Sequence, residues 1–166
     1  TDPLDNTWAY GYDGRGLTTS VTDPLGNMTS LVYDSLGRLT AATDPLGRAQ
    51  AWSYDTLGRV TAASDGAGFT TAFTYDPAGR LASAADPLGN ATEYAYDAIG
   101  ALISATDPLG HVTQWSYDLA GRPVSQTDPL GNTWSYAYNF NSQLATATNP
   151  NGETASHTYD PRGLLT

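Results

Sequence analysis

Along the chain, large and small side chains alternate over short stretches, and each stretch ends at a turn signal. Between Asn27 and Tyr33, residues Leu31 and Tyr33 fall on one side of an extended strand and Val32 on the other, because successive strand side chains point to opposite faces. The Leu31 column recurs every 21 residues as Tyr10, Leu31, Trp52, Phe73, Tyr94, Trp115, Tyr136 and His157. The column between holds Gly11, Val32, Ser53, Thr74, Ala95, Ser116, Ala137 and Thr158. One face of the predicted sheet is therefore large and aromatic and the other small or polar. A third column on the aromatic face never varies: Tyr12, Tyr33, Tyr54, Tyr75, Tyr96, Tyr117, Tyr138 and Tyr159. The segment from Arg38 to Thr43 reads as a second strand. Its Leu39 column (Val60, Leu81, Leu102, Leu144, Leu165) is expected to join the tyrosine face.

Two turn signals separate these strands in each unit. One is Asp-Pro-Leu-Gly, as at Asp23 to Gly26 and Asp44 to Gly47, with Asp2, Asp65, Asp86, Asp107, Asp128 and Asn149 in the same register. The other is Tyr-Asp-x-x-Gly, with Asp34 and Gly37, then Asp55 and Gly58. Aspartate bonds the backbone two residues on, proline presets φ, and glycine takes positive φ at the exit, so both signals predict type I turns of hairpins. The fold class that follows is all-β: an antiparallel meander of tandem 21-residue hairpins. A period of 21 is odd, and a one-residue shift flips every side chain. Keeping the tyrosines on one face therefore requires a longer loop or a bulge at one of the two turns. The longer loop is expected at Asp-Pro-Leu-Gly-Asn. At ~4.8 Å per strand, sixteen strands make a ribbon about 75 Å wide, and sheets beyond ~10 strands usually curl or split. A curled or spiralling sheet is expected.

Composition narrows the partners. The chain has 166 residues, no cysteine and a net charge of −10. The absence of cysteine removes disulfides and thiolate chemistry. All seven basic residues are arginine, and four of them (Arg38, Arg59, Arg80, Arg122) share one repeat position. That balance argues against nucleic acid and anionic membranes as partners. No apolar run approaches the ~20 residues of a membrane helix.

The pattern Tyr-Asp-x-x-Gly-Arg-Leu with Asp-Pro-Leu-Gly-Asn resembles the YD repeat of Rhs proteins, shared with the B and C components of insecticidal toxin complexes and with teneurins. The resemblance covers the whole chain in about eight copies, partial at both ends, so residues 1–166 read as a single array from a larger protein. It implies a β-sheet spiralling into a hollow shell, secreted or displayed at the surface of a bacterium, that encloses a C-terminal toxin or effector domain. Some units depart from the pattern. Asp65 to Gly68 lacks the proline, Ala101 and Gln143 replace the arginine, and Asn139 to Ser142 lacks both aspartate and glycine, which predicts a looser turn.

Other chemistry is weighed against turn and sheet roles. The aspartates are explained as turn formers, not as a calcium ladder, which needs several oxygens converging on one ion. Arginines are expected to pair with turn aspartates at the sheet edge. His111 and His157 lie in variable columns and suggest no triad. No catalytic, metal or cofactor site is expected. The alternative reading is a carbohydrate platform on Trp52, Phe73, Tyr94, Trp115 and Tyr136, with cell-surface glycans as partners. Unpaired strand edges of the isolated segment are expected to promote self-association.

Overall fold

The computed structural model describes residues 7–166, and the turn acid Asp2 lies outside them. The strands are β1 (Ala9–Tyr12), β2 (Thr18–Thr22), β3 (Met28–Tyr33), β4 (Leu39–Thr43), β5 (Ala49–Tyr54), β6 (Val60–Ser64), β7 (Thr70–Tyr75), β8 (Leu81–Ala85), β9 (Ala91–Tyr96), β10 (Leu102–Thr106), β11 (Val112–Tyr117), β12 (Pro123–Thr127), β13 (Thr133–Tyr138), β14 (Leu144–Thr148) and β15 (Thr154–Ser156). A sixteenth shrinks to one antiparallel bridge between Tyr159 and Leu165. The strand order follows the sequence from β1 to β15, an antiparallel meander of one hairpin after another. β1 and β15 stand at the two ends of that order.

The two turns of each unit close identically, which corrects the expectation of a longer Asp-Pro-Leu-Gly loop. At Asp23 the backbone N–H donates to Asn27 O (3.0 Å) and Gly26 N–H donates to Asp23 O (3.0 Å). At Asp34 the same two bonds run to Arg38 O (2.9 Å) and from Gly37 N–H (3.1 Å). The parity is corrected inside the strands instead. Val32 faces Ala41 while Tyr33 faces Leu39, so Thr40 is an extra residue in β4. The same shift recurs at Tyr12, Tyr54, Tyr96, Tyr117 and Tyr138. One bulge per unit restores the face that the odd period would flip. Leu39, Val60, Leu102 and Leu144 consequently stand opposite a tyrosine, as expected.

The chain packs as two compact units. The first runs up to Thr74 and adds Ala84–Asn90; the second comprises Tyr75–Ser83 and Ala91–Thr166. Within the first, pairing is continuous from β1 to β7, and within the second from β9 to β15. Each is a single layer. No described residue, apolar or polar, is buried. Along β7, β11 and β13 exposed and half-buried residues alternate, with the aromatic columns on the half-buried side. Cross-strand neighbours and backbone ladders hold such a layer together, but a domain ordinarily buries its apolar face against a second layer.

Candidate functional surface

The tyrosine-turn edge is built by five recurring contacts. The turn aspartate accepts two backbone N–H bonds, as Asp34 Oδ1 does from Leu36 and Arg38 (both 2.9 Å). Its other oxygen, Oδ2, takes Arg38 Nε at 2.6 Å. Arg38 Nη1 then crosses to the next unit and donates to Asp55 O at 3.0 Å. The guanidinium lies over the Tyr54 ring, 4.8 Å from its centroid. Tyr54 closes the circuit by donating its hydroxyl back to Leu39 O at 2.6 Å.

Arg80 repeats this arrangement with Asp76, Asp97 O and the Tyr96 ring. Arg122 does so with Asp118, Asn139 O and Tyr138, whose hydroxyl reaches Pro123 O. At the first turn the arginine is two residues early, yet Arg15 still joins Asp13 Oδ2 to Asp34 O (2.7 Å). Gln143 substitutes in kind, accepting from Asn139 Nδ2 and donating to Gly163 O. The bulge helps here, because it sets Leu39 opposite Tyr33 beside the turn. These inter-unit links were missed from sequence, although the fixed spacing of arginine and the following tyrosine was the available signal.

The carboxyl of Asp34 is held below its ordinary value, first by the Arg38 backbone N–H and then by the Arg38 side chain. Asp55 and Asp76 are lowered in the same way by Arg59 and Arg80. At the opposite edge the lowering of Asp23, Asp86 and Asp128 comes first from the side-chain amide of Asn27, Asn90 or Asn132. Asp107 and Asp44 are lowered first by the backbone N–H of His111 and Arg48, whose side chains also reach the carboxylate, His111 Nδ1 at 2.8 Å from Asp107 Oδ2 and Arg48 Nε at 2.6 Å from Asp44 Oδ2. The arginine–aspartate pairing expected at the sheet edge is present.

The turn glycines Gly26, Gly37, Gly47 and Gly58 all have φ between 81° and 86°. The turn at Asn139 is not looser than the rest. Asn139 Oδ1 accepts from Asn141 and Gln143, and Ser142 N–H donates to Asn139 O at 3.0 Å. Its cost is Ser142, the one non-glycine at positive φ (62°) among the described residues. Asp65-Gly66 also has a local reason. A Cβ on Gly66 would stand 2.9 Å from Arg48 Cβ, so the residue that replaces proline makes room for arginine in the preceding turn.

In the tyrosine column, Tyr33, Tyr54, Tyr75, Tyr96, Tyr117, Tyr138 and Tyr159 are half-buried, and Tyr12 is exposed. Trp52, Phe73, Tyr94, Trp115 and Tyr136 are likewise half-buried. In the second unit Trp115 and Trp134 flank Gln126 across β11, β12 and β13. Among the described residues no group of three or more His, Asp or Glu side chains could hold a metal ion.

The RHS Repeat family model matches the chain seven times in overlapping windows, residues 1–28, 12–49, 33–71, 54–91, 75–112, 96–133 and 117–154. No curated protein sequence matches. Among solved structures the chain is similar to TcdB2-TccC3 without its hypervariable C-terminal region (TM-score 0.70, 21% identity over 96% of the chain). It is also similar to TcdB2-TccC3-Cdc42 (0.69, 20%, 95%) and to a Tc holotoxin pore of Photorhabdus luminescens (0.68, 20%, 96%). The chain spans 10% of the length of each of those chains. At this identity the likeness is one of fold.

Proposed function

We propose, starting from the fact that this chain belongs to the RHS repeat family, that it is a stretch of protein wall in a larger, exported bacterial toxin, secreted or held at the cell surface. The wall encloses a C-terminal toxin or effector domain and does no chemistry itself. The observation that carries this reading is the single layer: residues 7–166 form strands and turns throughout, yet bury nothing. A sheet with one aromatic, half-covered face suits a boundary whose other side is supplied by the rest of the protein. On this reading the array of residues 1–166 is one segment of a curling sheet, and its partner is the enclosed domain, not nucleic acid or membrane. The test is protease protection in the parent protein. The enclosed domain should resist digestion while the wall is intact and become cleavable when Tyr54→Asp and Tyr117→Asp open it. Equal digestion with and without an intact wall overturns the reading.

A second reading rests on the partial exposure of the Trp52, Phe73, Tyr94, Trp115 and Tyr136 column and on the pair of indoles flanking Gln126. Flat rings with an amide between them suit a cell-surface glycan. Tyr75→Ala separates the two readings: the wall predicts lost stability, whereas the platform predicts intact stability and lost binding on a glycan array.

A further inference from the structure

At the tyrosine-turn edge one position is vacant by comparison with its neighbours. Arg38, Arg80 and Arg122 each lie between a turn carboxylate, the next unit's tyrosine ring and the next turn's carbonyl. Ala101 stands at the corresponding place after Asp97. We propose that the slot left by Ala101 binds a guanidinium from outside the chain, the arginine side chain of a basic polypeptide segment.

All three walls of the slot are in place. Asp97 Oδ1 accepts the backbone N–H groups of Ile99 (3.0 Å) and Ala101 (2.8 Å), the latch used by every arginine-bearing turn. Among the described residues no side chain reaches Asp97 Oδ2, the oxygen that binds Nε elsewhere. Tyr117 is held as Tyr54 and Tyr138 are, its hydroxyl donating to Leu102 O at 2.9 Å. Its ring carries no guanidinium among the described contacts, while those of Tyr54 and Tyr138 do. Asp118 O accepts Gly121 N–H (2.9 Å). Asp55 O shows that such a carbonyl, with two lone pairs, takes a guanidinium as well: it accepts both Gly58 N–H (3.1 Å) and Arg38 Nη1 (3.0 Å).

Carboxylate, ring face and carbonyl together select a planar, multiply donating cation over a compact ammonium. The charged groups around the slot are Asp97 and Asp118, then Arg80 on Asp97 O and Arg122 on Asp118 Oδ2. The two arginines do not bar an occupant, because Arg38 and Arg59 sit in successive turns, each on its own aspartate at 2.6 Å. A net charge of −10 draws basic segments toward the surface. An exposed ion pair with one cation–π contact is weak alone, so the slot acts as one anchor within a larger contact, and a free arginine derivative should bind only in the millimolar range.

The test is an NMR titration of the full chain with N-acetylarginine amide, following tyrosine ring resonances. A saturable shift at Tyr117 is expected. It should be several-fold weaker with N-acetyllysine amide, absent with the uncharged citrulline analogue, and abolished in Ala101→Arg, which fills the slot covalently. Arg122→Ala should open a second slot and bring Tyr138 into the response. No saturable shift at Tyr117, an undiminished shift in Ala101→Arg, or all tyrosines moving together overturns the proposal.

Discussion

The two edges of the sheet use one turn and reach different ends. At the Asp-Pro-Leu-Gly edge the residue after glycine is asparagine at Asn27, Asn90 and Asn132, and its amide bonds back to the aspartate of its own turn. No described hydrogen bond or ion pair there passes to the next turn. At the tyrosine edge the same position holds an arginine long enough to satisfy its own aspartate and the neighbouring unit at once. Length alone does not make the difference, since Arg48 at the first edge pairs with Asp44 and leaves its side chain 64% exposed, against 28% for Arg38. What the first edge lacks is a ring. Only at the other edge does a tyrosine precede the turn aspartate and offer a face for the guanidinium. One edge therefore links units and the other only folds the chain back. In a repeat array, stability is the sum of what each unit holds and what passes between neighbours, and here the second part is concentrated along one edge.

The largest expected effect ignores this asymmetry. Eleven turn aspartates at both edges have carboxyls held below their ordinary value by the backbone and side-chain bonds they accept. A carboxyl whose pKa is lower in the folded chain contributes stability above its unfolded pKa and loses it as pH falls through the folded value. β-Structure followed by circular dichroism should therefore be lost below about pH 4. Asn139 and Asn149 make the same backbone bonds without titrating. Replacing the aspartates of one edge by asparagine should shift the transition to lower pH, equally for either edge. A transition that ignores these replacements would place the acid lability elsewhere.

Next in size is the contrast between Tyr54 and Leu46. Tyr54 is half-buried under Arg38 and bonded to Leu39 O, whereas Leu46 at the other edge is 77% exposed. Tyr54→Ala should cost about 2 kcal/mol, below the range for fully buried aromatics, and Tyr54→Phe about 1 kcal/mol for the hydroxyl bond. Leu46→Ala should stay within about 0.5 kcal/mol. Urea denaturation of the three variants decides it; equal costs at Tyr54 and Leu46 would remove the distinction between the edges. Ser142→Gly should act in the opposite direction. Relieving a left-handed residue that carries a Cβ should stabilise the chain by about 1 kcal/mol, seen as a higher urea midpoint with an unchanged slope.

Much of this was legible in the sequence because the repeat averages over its own exceptions. The strands, the turns, the tyrosine face and the need for a parity correction all followed from columns of eight residues. The place of that correction did not. A bulge at Thr40 leaves no composition signal, because its column holds Thr19, Thr61, Ile103, Val124 and Ala145 in the other units. The longer loop expected at Asp-Pro-Leu-Gly-Asn is absent because Asn27 bonds back to Asp23 within a turn that closes as the tyrosine turn does. The inter-unit circuit of arginine, ring and carbonyl was hidden for another reason. Sequence spacing identifies neighbours in a strand pair, but a contact from Arg38 to Asp55 O also depends on the bulge that sets how adjacent turns overlap.

The smallest effect tests the comparison most directly. Arg38 and Arg48 occupy the same position of the same turn, each with its Nε on an aspartate Oδ2 at 2.6 Å. If the pair within the turn were all that mattered, Arg38→Ala and Arg48→Ala would cost the same, a few tenths of a kcal/mol, as exposed pairs do. Arg38 adds the Tyr54 ring and the Asp55 carbonyl, so its loss should cost about 1 kcal/mol. Arg38→Lys should recover little of it, because an ammonium cannot lie flat on the ring while donating in two directions. The decisive measurement is a double-mutant cycle of Arg38→Ala with Tyr54→Phe and with Tyr54→Ala. The coupling energy should be near zero with Tyr54→Phe, because the hydroxyl serves Leu39 O, and about 0.5–1 kcal/mol with Tyr54→Ala, which removes the ring under the guanidinium. A full coupling energy already with Tyr54→Phe would mean that the hydroxyl bond, and not the guanidinium on the ring, ties one unit to the next.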